Sequence, residues 1–471
     1  MLAVSVAGCG GGGGAESSNG SDDVNPFNAS VTINDGDDAT SSIAVTLTLS
    51  AVDSAGVAGF YASESSAAPA ASDSGWTTVA TSASYSGTAS FTFSTAPGTK
   101  TVYIWFQDGA GNVSDAVSDT ITLSSSEVSG LAGTWGYQTI RYDPVDGWYV
   151  ELAKAAFNGD GTGSITGHWN DNGTLGSGVK AFTYLTGANS DGSFTMNINV
   201  EGSVNSAKWV MSDGGNMIVA DGTEMFGPTA QGLMSLVKLD GAAVLTSADF
   251  SGQYYTFGYG YKAAEGSYRA TSTSSTADGA GTLDVHGTRN NNGAIDSSSA
   301  MVTYEVQGEK INLSSGTALI LSGDNNIAVA ADAFNYSDYE GGFFMKRGSG
   351  YSTLSIEGTW AIAGFGDDDN GTSFIAAFGT MTCTAAGACT LSLKNQADGA
   401  ASSASSSMNI AVDADGSFGA SISADSPVYA GAIGNGGNTI MFNVSFDGAS
   451  LNHREVFLGV RCTQCADLSA F

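Results

Sequence analysis

Along most of the chain apolar and polar residues alternate with a period of two, the spacing that puts one side of a β-strand on a core. Between residues 27 and 125 the runs are Val31/Ile33, Val45/Leu47/Leu49, Phe91/Phe93 and Val102/Ile104/Phe106. Breakers fall between them at Asn34-Asp35-Gly36, Ser54 to Gly56, Pro97-Gly98 and Asp108-Gly109. Helix signals are nearly absent, so the prediction is an all-β protein that opens with an antiparallel sandwich of about seven strands, the last at Ala116 to Leu123.

From residue 130 onward the pattern repeats itself. Gly133-Thr134-Trp135, Gly252-Gln253-Tyr254 and Gly358-Thr359-Trp360 each follow an apolar residue, Leu131, Phe250 or Ile356, two positions before the glycine. A turn signal at Asp191-Gly192, Gly308-Glu309 and Asp415-Gly416 comes 56, 54 and 55 residues after the aromatic position. Further turns end at Asn216, Asn326 and Asn438. Each copy closes on an apolar strand with a basic residue, at Lys238, Lys346-Arg347 and Arg461. Three homologous β units follow, with boundaries 130–242, 249–350 and 354–471.

Each unit has about seven or eight short alternating runs, enough for one eight-stranded up-and-down barrel. The same count divides into two four-stranded blades per unit, which would make one six-bladed β-propeller. The barrel is favoured because each copy has its own closing strand and short linkers separate the copies. The Gly-x-Trp opening resembles that of the calycins, the lipocalin and avidin superfamily. That resemblance implies that a basic side chain of the last strand lies across the aromatic ring of the first. The pairs would be Trp135 with Lys238, Trp360 with Arg461, and Tyr254 with Lys346 or Arg347, each a cation–π contact of about 0.5 to 2 kcal/mol.

In the 27–125 segment, Asp108-Gly-Ala-Gly-Asn112 after Val-Tyr-Ile-Trp-Phe resembles the Asp-x-Ala-Gly-Asn turn of bacterial Ig-like modules. The resemblance implies an Ig-like sandwich acting as a spacer or an adhesive surface. Asp108 and Asn112 are expected to hold the turn through side-chain hydrogen bonds. With Asp35, Asp37 and Asp38 they offer the alternative of a calcium site; otherwise no metal or cofactor is expected.

Composition narrows the function classes. The 471 residues include 65 Gly and only 6 Pro, and 42% are hydrophobic, so several folded domains are expected. Fifteen Lys and Arg against 46 Asp and Glu give a net charge of −31, which repels nucleic acid and anionic lipid. Val6-Ala7-Gly8-Cys9 resembles the lipobox of bacterial lipoproteins, which implies lipidation at Cys9, with residues 1–9 the remainder of a shortened signal and 10–26 a Gly/Ser/Asp linker. No later run reaches the 18 apolar residues of a membrane span, so the lipid anchor is the only membrane attachment expected. Gly10, where inner-membrane lipoproteins often have Asp, points to the outer membrane or cell surface.

The other four cysteines, Cys383, Cys389, Cys462 and Cys465, form an even set in an exported chain and read as disulfides. Cys383 and Cys389 bracket a hairpin tip; a four-Cys zinc site is the competing reading, at a spacing that suits it poorly. His168 and His286 occupy matched strand positions in copies one and two, and no nucleophile elbow, metalloprotease motif or phosphate loop occurs. The expectation is a non-enzymatic surface lipoprotein for adhesion or for capture of a small molecule, glycan or protein. A purely structural envelope component is the alternative, and a hydrolase using His168 or His286 a distant third. Lumens lined by Trp148, Trp169 or Trp209 would favour capture, and lumens filled by bulky side chains a structural role.

Overall fold

In the computed structural model of the chain the described residues are 23–471, except 41, 95–97, 124–127, 129, 222–229, 240–244, 264, 293, 333–337, 369–372, 398–399, 422–427, 446–453, 467 and 469–471. Cys9 and most of the linker lie outside them. The described residues form thirty strands and only short 3-10 turns, in two compact units that divide near residue 124.

The first unit is a six-stranded sheet of β1 (Phe27–Ile33), β2 (Ala39–Thr40), β3 (Ala44–Ser63), β4 (Thr77–Thr92), β5 (Gly98–Asp108) and β6 (Val117–Leu123). β3 pairs with β4 along one side, and on the other with β1 through its first half and β5 through its second. β5 pairs with β6, which takes β2 in parallel. The alternating residues predicted to be buried form its core, with Leu47, Leu49, Val57, Val102, Ile104 and Phe106 essentially inaccessible. Six strands replace the expected seven because Ser54 to Gly56 do not end a strand. The Asp53 carboxylate accepts from the amides of Ala55 (2.8 Å) and Gly56 (2.9 Å), and Gly56 takes φ +100°, so β3 shifts register there and continues.

The second unit contains three closed, eight-stranded antiparallel barrels in which consecutive strands are neighbours and the last pairs with the first. Barrel 1 is β7 (Gly133–Asp143), β8 (Gly147–Phe157), β9 (Thr162–Asp171), β10 (Thr174–Ala188), β11 (Phe194–Val200), β12 (Ser203–Met211), β13 (Met217–Asp221) and β14 (Gln231–Leu239). Barrel 2 is β15 (Ser251–Lys262), β16 (Ser267–Asp278), β17 (Thr282–Asn291), β18 (Ala294–Gln307), β19 (Lys310–Leu313), β20 (Ala318–Leu321), β21 (Ile327–Ala331) and β22 (Asp338–Lys346). Barrel 3 is β23 (Gly358–Asp368), β24 (Ser373–Cys383), β25 (Ala388–Ala397), β26 (Ala400–Val412), β27 (Ser417–Ser421), β28 (Val428–Gly434), β29 (Thr439–Ser445) and β30 (Arg454–Arg461). The propeller alternative is excluded by these closures.

Each lumen has its own core, and a fourth core joins the outer walls of all three barrels. In β13, Ile218 and Ala220 point into the lumen while Met217 and Val219 point to the neighbouring barrels. The same division holds in β21, with Ala328 and Ala330 inside and Ile327 and Val329 outside. It recurs in β30, with Phe457 inside and Val456, Leu458 and Val460 outside. Strands buried on both faces cannot alternate, which is why the end of each repeat reads as an unbroken apolar run. At Gly136 a Cβ would sit 2.5 Å from Ile320 of barrel 2, so only glycine allows the walls to approach so closely.

Candidate functional site

The pairs predicted to close the barrels are register partners: Lys238 lies opposite Trp135, Lys346 opposite Tyr254, and Arg461 opposite Trp360. The cations stand 5.3, 5.9 and 4.4 Å from the ring centroids. The apolar residue four positions before each Trp has a second task. The carbonyls of Leu131 and Ile356 accept the indole N–H groups of Trp135 and Trp360 at 2.8 and 2.9 Å. Arg461 also donates to the carbonyls of Gly437 (2.8 Å), Ser355 (2.6 Å) and Glu357. In barrel 2 the phenol of Tyr254 replaces the indole, and Arg347 turns instead to Tyr255 (4.8 Å) and to Asp415 of barrel 3. These residues therefore seal one end of each barrel.

The turns ending at Asn216, Asn326 and Asn438 have a role that spacing alone did not reveal. The side-chain amide of Asn216 donates to Asp324 of barrel 2 (3.2 Å) and to Asn435 of barrel 3 (3.1 Å). The Asp213 amide donates to the Arg461 carbonyl (2.9 Å), and the Gly323 amide to the Lys238 carbonyl (3.0 Å). The third landmark is thus a polar clasp between barrels.

Two disulfides join the four described cysteines. Cys383–Cys389 staples the β24–β25 hairpin, and both residues are buried in the lumen core of barrel 3. Cys462–Cys465 shapes a C-terminal clip that reaches barrel 1, where the Thr463 amide donates to Asp213 (3.1 Å) and the Ala466 amide to the Asp191 carbonyl (3.0 Å). In the first unit Asp108 Oδ1 accepts from the amides of Ala110, Gly111 and Asn112, and Oδ2 from the Asn112 side chain (2.7 Å). Asp35 accepts from Thr48 Oγ1 (3.3 Å). Among the described residues no group of three or more His, Cys, Asp or Glu is placed to hold a metal ion.

The lumens differ. Barrel 1 is filled by Trp135, Tyr137, Phe157, Phe182, Phe194 and Trp209. Barrel 3 is filled by Trp360, Met381, Phe418, Phe442, Phe457 and the disulfide. Barrel 2 encloses a cavity of about 270 Å³. The register explains the difference. Where β7 has Tyr137, Thr139 and Arg141, β15 has Thr256, Gly258 and Gly260, and β16 faces them with Thr271, Thr273 and Ser275.

The cavity is graded from end to end. Toward the sealed base it is lined by Leu283, Val285, Val302, Ala330 and Phe344; Thr256, Thr273 and Ser275 form a hydroxyl belt; Lys262, Arg269, Arg289, Asp332 and Glu340 follow toward the other end. Three of the chain's fifteen cations therefore line one cavity. Arg269 pairs with Glu265 and lies 4.0 Å from Glu340. Thr273 is 8% exposed, and its hydroxyl has no hydrogen-bond partner among the described residues. Such a group is costly unless something fills its bond, by about 1 to 3 kcal/mol.

Of the tryptophans proposed as lumen linings, Trp209 and Trp169 face the lumen of barrel 1, and only Trp148 lies outside it. Trp209 is packed in the barrel 1 core, and Trp169 covers Gly176 beneath Lys180. Trp148 stands at the junction of all three barrels. It stacks on Tyr261 (5.8 Å) and Tyr339 (6.1 Å) of barrel 2 and meets Phe374 (5.3 Å) of barrel 3 edge-on. Beside it Arg454 and Asp367, both fully buried, form an ion pair, and the Tyr259 hydroxyl donates to Asp367 (2.7 Å). Burial, with the Asp367 charge adding to it, holds the Tyr259 hydroxyl well above the ordinary tyrosine range. His286 lies on the exposed face of β17, 2.9 Å from Asp284. His168 faces a groove between barrels 1 and 2, where burial and Lys310 lower its basicity.

The class that these features define is a tandem of three eight-stranded antiparallel barrels, the second enclosing a cavity, preceded in the chain by a separate β-sheet unit. No family model matches the chain, and no curated protein does. Among solved structures it is similar to a protein of unknown function from the DUF3598 family of Nostoc punctiforme, at 8% identity and TM-score 0.18, over 70% of this chain and 96% of that one. It is also similar to kievitone hydratase from Nectria haematococca, at 9% identity and TM-score 0.18, over 73% and 93%. Neither likeness carries an argument about activity.

Proposed function

We propose that the protein is an exported, non-catalytic capture protein that holds a small amphipathic molecule inside barrel 2. The observation that carries this reading is the graded cavity between two filled lumens. A ligand would set its apolar part against Leu283, Val302 and Phe344, bond the Thr273 hydroxyl, and leave a polar head among Arg269, Arg289 and Glu340. At about 270 Å³ the space lies just under the range of roughly 300 to 1,000 Å³ common for small-molecule sites, which selects compact ligands. Barrels 1 and 3 act as scaffold.

The paired cysteines support an oxidising compartment outside the cytoplasm. Within this proposal Cys9 carries the lipid anchor on the outer membrane or cell surface. The first unit is an Ig-like spacer, a reading supported by the β3–β4 and β3–β5 pairings and by the Asp108 turn. The test is calorimetric titration of the full chain with medium-chain carboxylates such as octanoate, in parallel with uncharged octanol. Saturable binding at one site per chain, lost in Thr273→Phe with the barrel still folded, is expected. Unchanged binding in Thr273→Phe, or none of either compound, overturns the reading.

A further inference from the structure

The first unit carries an exposed sheet edge that natural proteins seldom leave open. β4 runs for 16 residues, Thr77–Thr92, without one charged residue or proline, in a chain whose net charge is −31. It pairs with β3 alone; among the described residues nothing pairs with its other side. Open edges are normally blunted by shortness, a bulge, proline or an inward charge. The other edges of this sheet follow that rule, since β2 has two residues and β1 shifts register between Phe27 and Ser30. From Ser84 to Thr92, however, β4 runs in unbroken register against β3.

The direction of the open groups can be read from one contact. The Ser82 hydroxyl accepts from the Ser84 amide (3.3 Å) and donates to the Ser84 carbonyl (2.9 Å), so the peptide groups of Ser84 are not spent on β3. In a strand, residues two apart send their N–H and C=O groups the same way. Ser86, Thr88 and Ser90 therefore also present theirs to the open side. The same residues place their side chains in solvent, whereas Tyr85, Gly87, Ala89 and Phe91 are half-buried against the core.

We infer that β4 is a homophilic edge, pairing antiparallel with β4 of a second copy of this chain about a two-fold axis at Ser86. The sequence is complementary to itself in that register. Ser86 faces Ser86, Ser84 faces Thr88, and Ser82 faces Ser90, all of outward parity, with the partner strand displacing the Ser82 hydroxyl from the Ser84 peptide groups. On the inner face Tyr85 meets Gly87 and Ala83 meets Ala89, small against large and small against small. Each hydroxyl pair gains a cross-strand hydrogen bond, and no like charges oppose. The uncharged edge is also the way two acidic copies can meet at short range, because their mutual repulsion is screened by salt. The contact is independent of the barrel 2 cavity, so it stands or falls separately from the capture function.

The test is sedimentation of the full chain across concentration and salt. A reversible dimer is expected that strengthens as salt rises to about 0.5 M, where the Debye length is about 4 Å. Ser86→Lys and Ser86→Glu, exposed positions that leave the β3 ladder intact, should each weaken it at least about tenfold. An equimolar mixture of the two should restore it. Ser86→Cys should cross-link between copies, since directly opposed, hydrogen-bonded residues lie about 5.5 Å apart at Cα, within disulfide reach. Val79→Cys should not. A wild-type chain that stays monomeric in high salt, charge variants that associate as the wild type does, or no cross-link at Ser86 with a dimer present would each overturn the inference.

Discussion

Replacing Asp367 by Asn changes almost no volume and removes one charge, yet it should be among the most damaging substitutions in the second unit. Asp367 and Arg454 are both 0% exposed where the three barrels meet. Arg454 Nε donates to Asp367 Oδ1 (3.0 Å), the Tyr259 hydroxyl shares that oxygen, and the guanidinium lies 5.6 Å over Tyr268. Asp367→Asn takes from Arg454 the carboxylate it pairs with in a dry, aromatic setting, a loss of about 3 to 5 kcal/mol. Removing the ion pair and the Tyr259 hydroxyl together should behave differently. With Asp367→Leu, Arg454→Met and Tyr259→Phe together, the ion pair and the hydroxyl bonded to it leave at once, so stability should return to within about 2 kcal/mol of the parent. The assay is urea unfolding followed by near-ultraviolet ellipticity, which reports on the ring cluster around Trp148, with far-ultraviolet ellipticity checking that the transitions coincide. An Asp367→Asn loss below about 1 kcal/mol, or a triple variant worse than the single, would refute the reasoning.

Other outcomes follow from the same contacts. Lys238→Met should lose about 1 kcal/mol, one cation–π contact and one bond to the Gly130 carbonyl. Arg461→Met should lose about 2 to 4 kcal/mol, because three carbonyls lose their donor as well; equal midpoint shifts in urea would contradict this ordering. Replacing Cys462 and Cys465 by Ala removes a short loop closure worth about 2 kcal/mol, and should speed hydrogen exchange at 189–193 and 212–216 while barrel 2 is unaffected. Burial opposes ionisation of Asp108, but the side chain and amide of Asn112 and the amides of Ala110 and Gly111 outweigh it and hold the carboxyl below its usual range. Its folded value being depressed, the stabilisation is present above about pH 4 and is lost as pH falls through the folded value. Asp108→Asn should therefore flatten the acid dependence of exchange in residues 98–123.

What was legible in the sequence followed from local rules. Period-two alternation fixes strand faces wherever one face meets solvent, so β5 and the first half of β3 could be read directly. The aromatic opening and the basic closing residue could be matched across copies because the two must oppose each other in register, whatever else the barrel does. The inter-barrel core was not legible as such. Runs like Leu236-Val237, Ile327 to Ala331 and Val456 to Val460 were visible as apolar, but nothing local says whether a strand's second face meets a lumen or another barrel. The bulge at Asp53 was missed because a side chain two residues upstream took over the amides that a turn would have used. The cavity is not announced by tryptophans, because a lumen becomes hollow through what is absent. The usable signal was Thr256, Gly258 and Gly260 standing where a sister copy has Tyr137, Thr139 and Arg141.

That contrast suggests how the work is divided among the three copies. All three keep the closing pair and the apolar outer strands, because a barrel lacking the second would not fit the common core, and one lacking the first would fray where its last strand meets its first. Neither constraint reaches the inner faces of β15 past Tyr254 or of β16 past Ser275, which lie beyond the sealed base. Side chains there can shrink without loosening the junction, provided the neighbouring barrels stay rigid, and the filled lumens of barrels 1 and 3 supply that rigidity. A hollow barrel standing alone would lose lumen packing with nothing to offset it. Held on one side by two packed neighbours, barrel 2 can forgo part of its own core, and a free Thr273 hydroxyl in its wall is then tolerable.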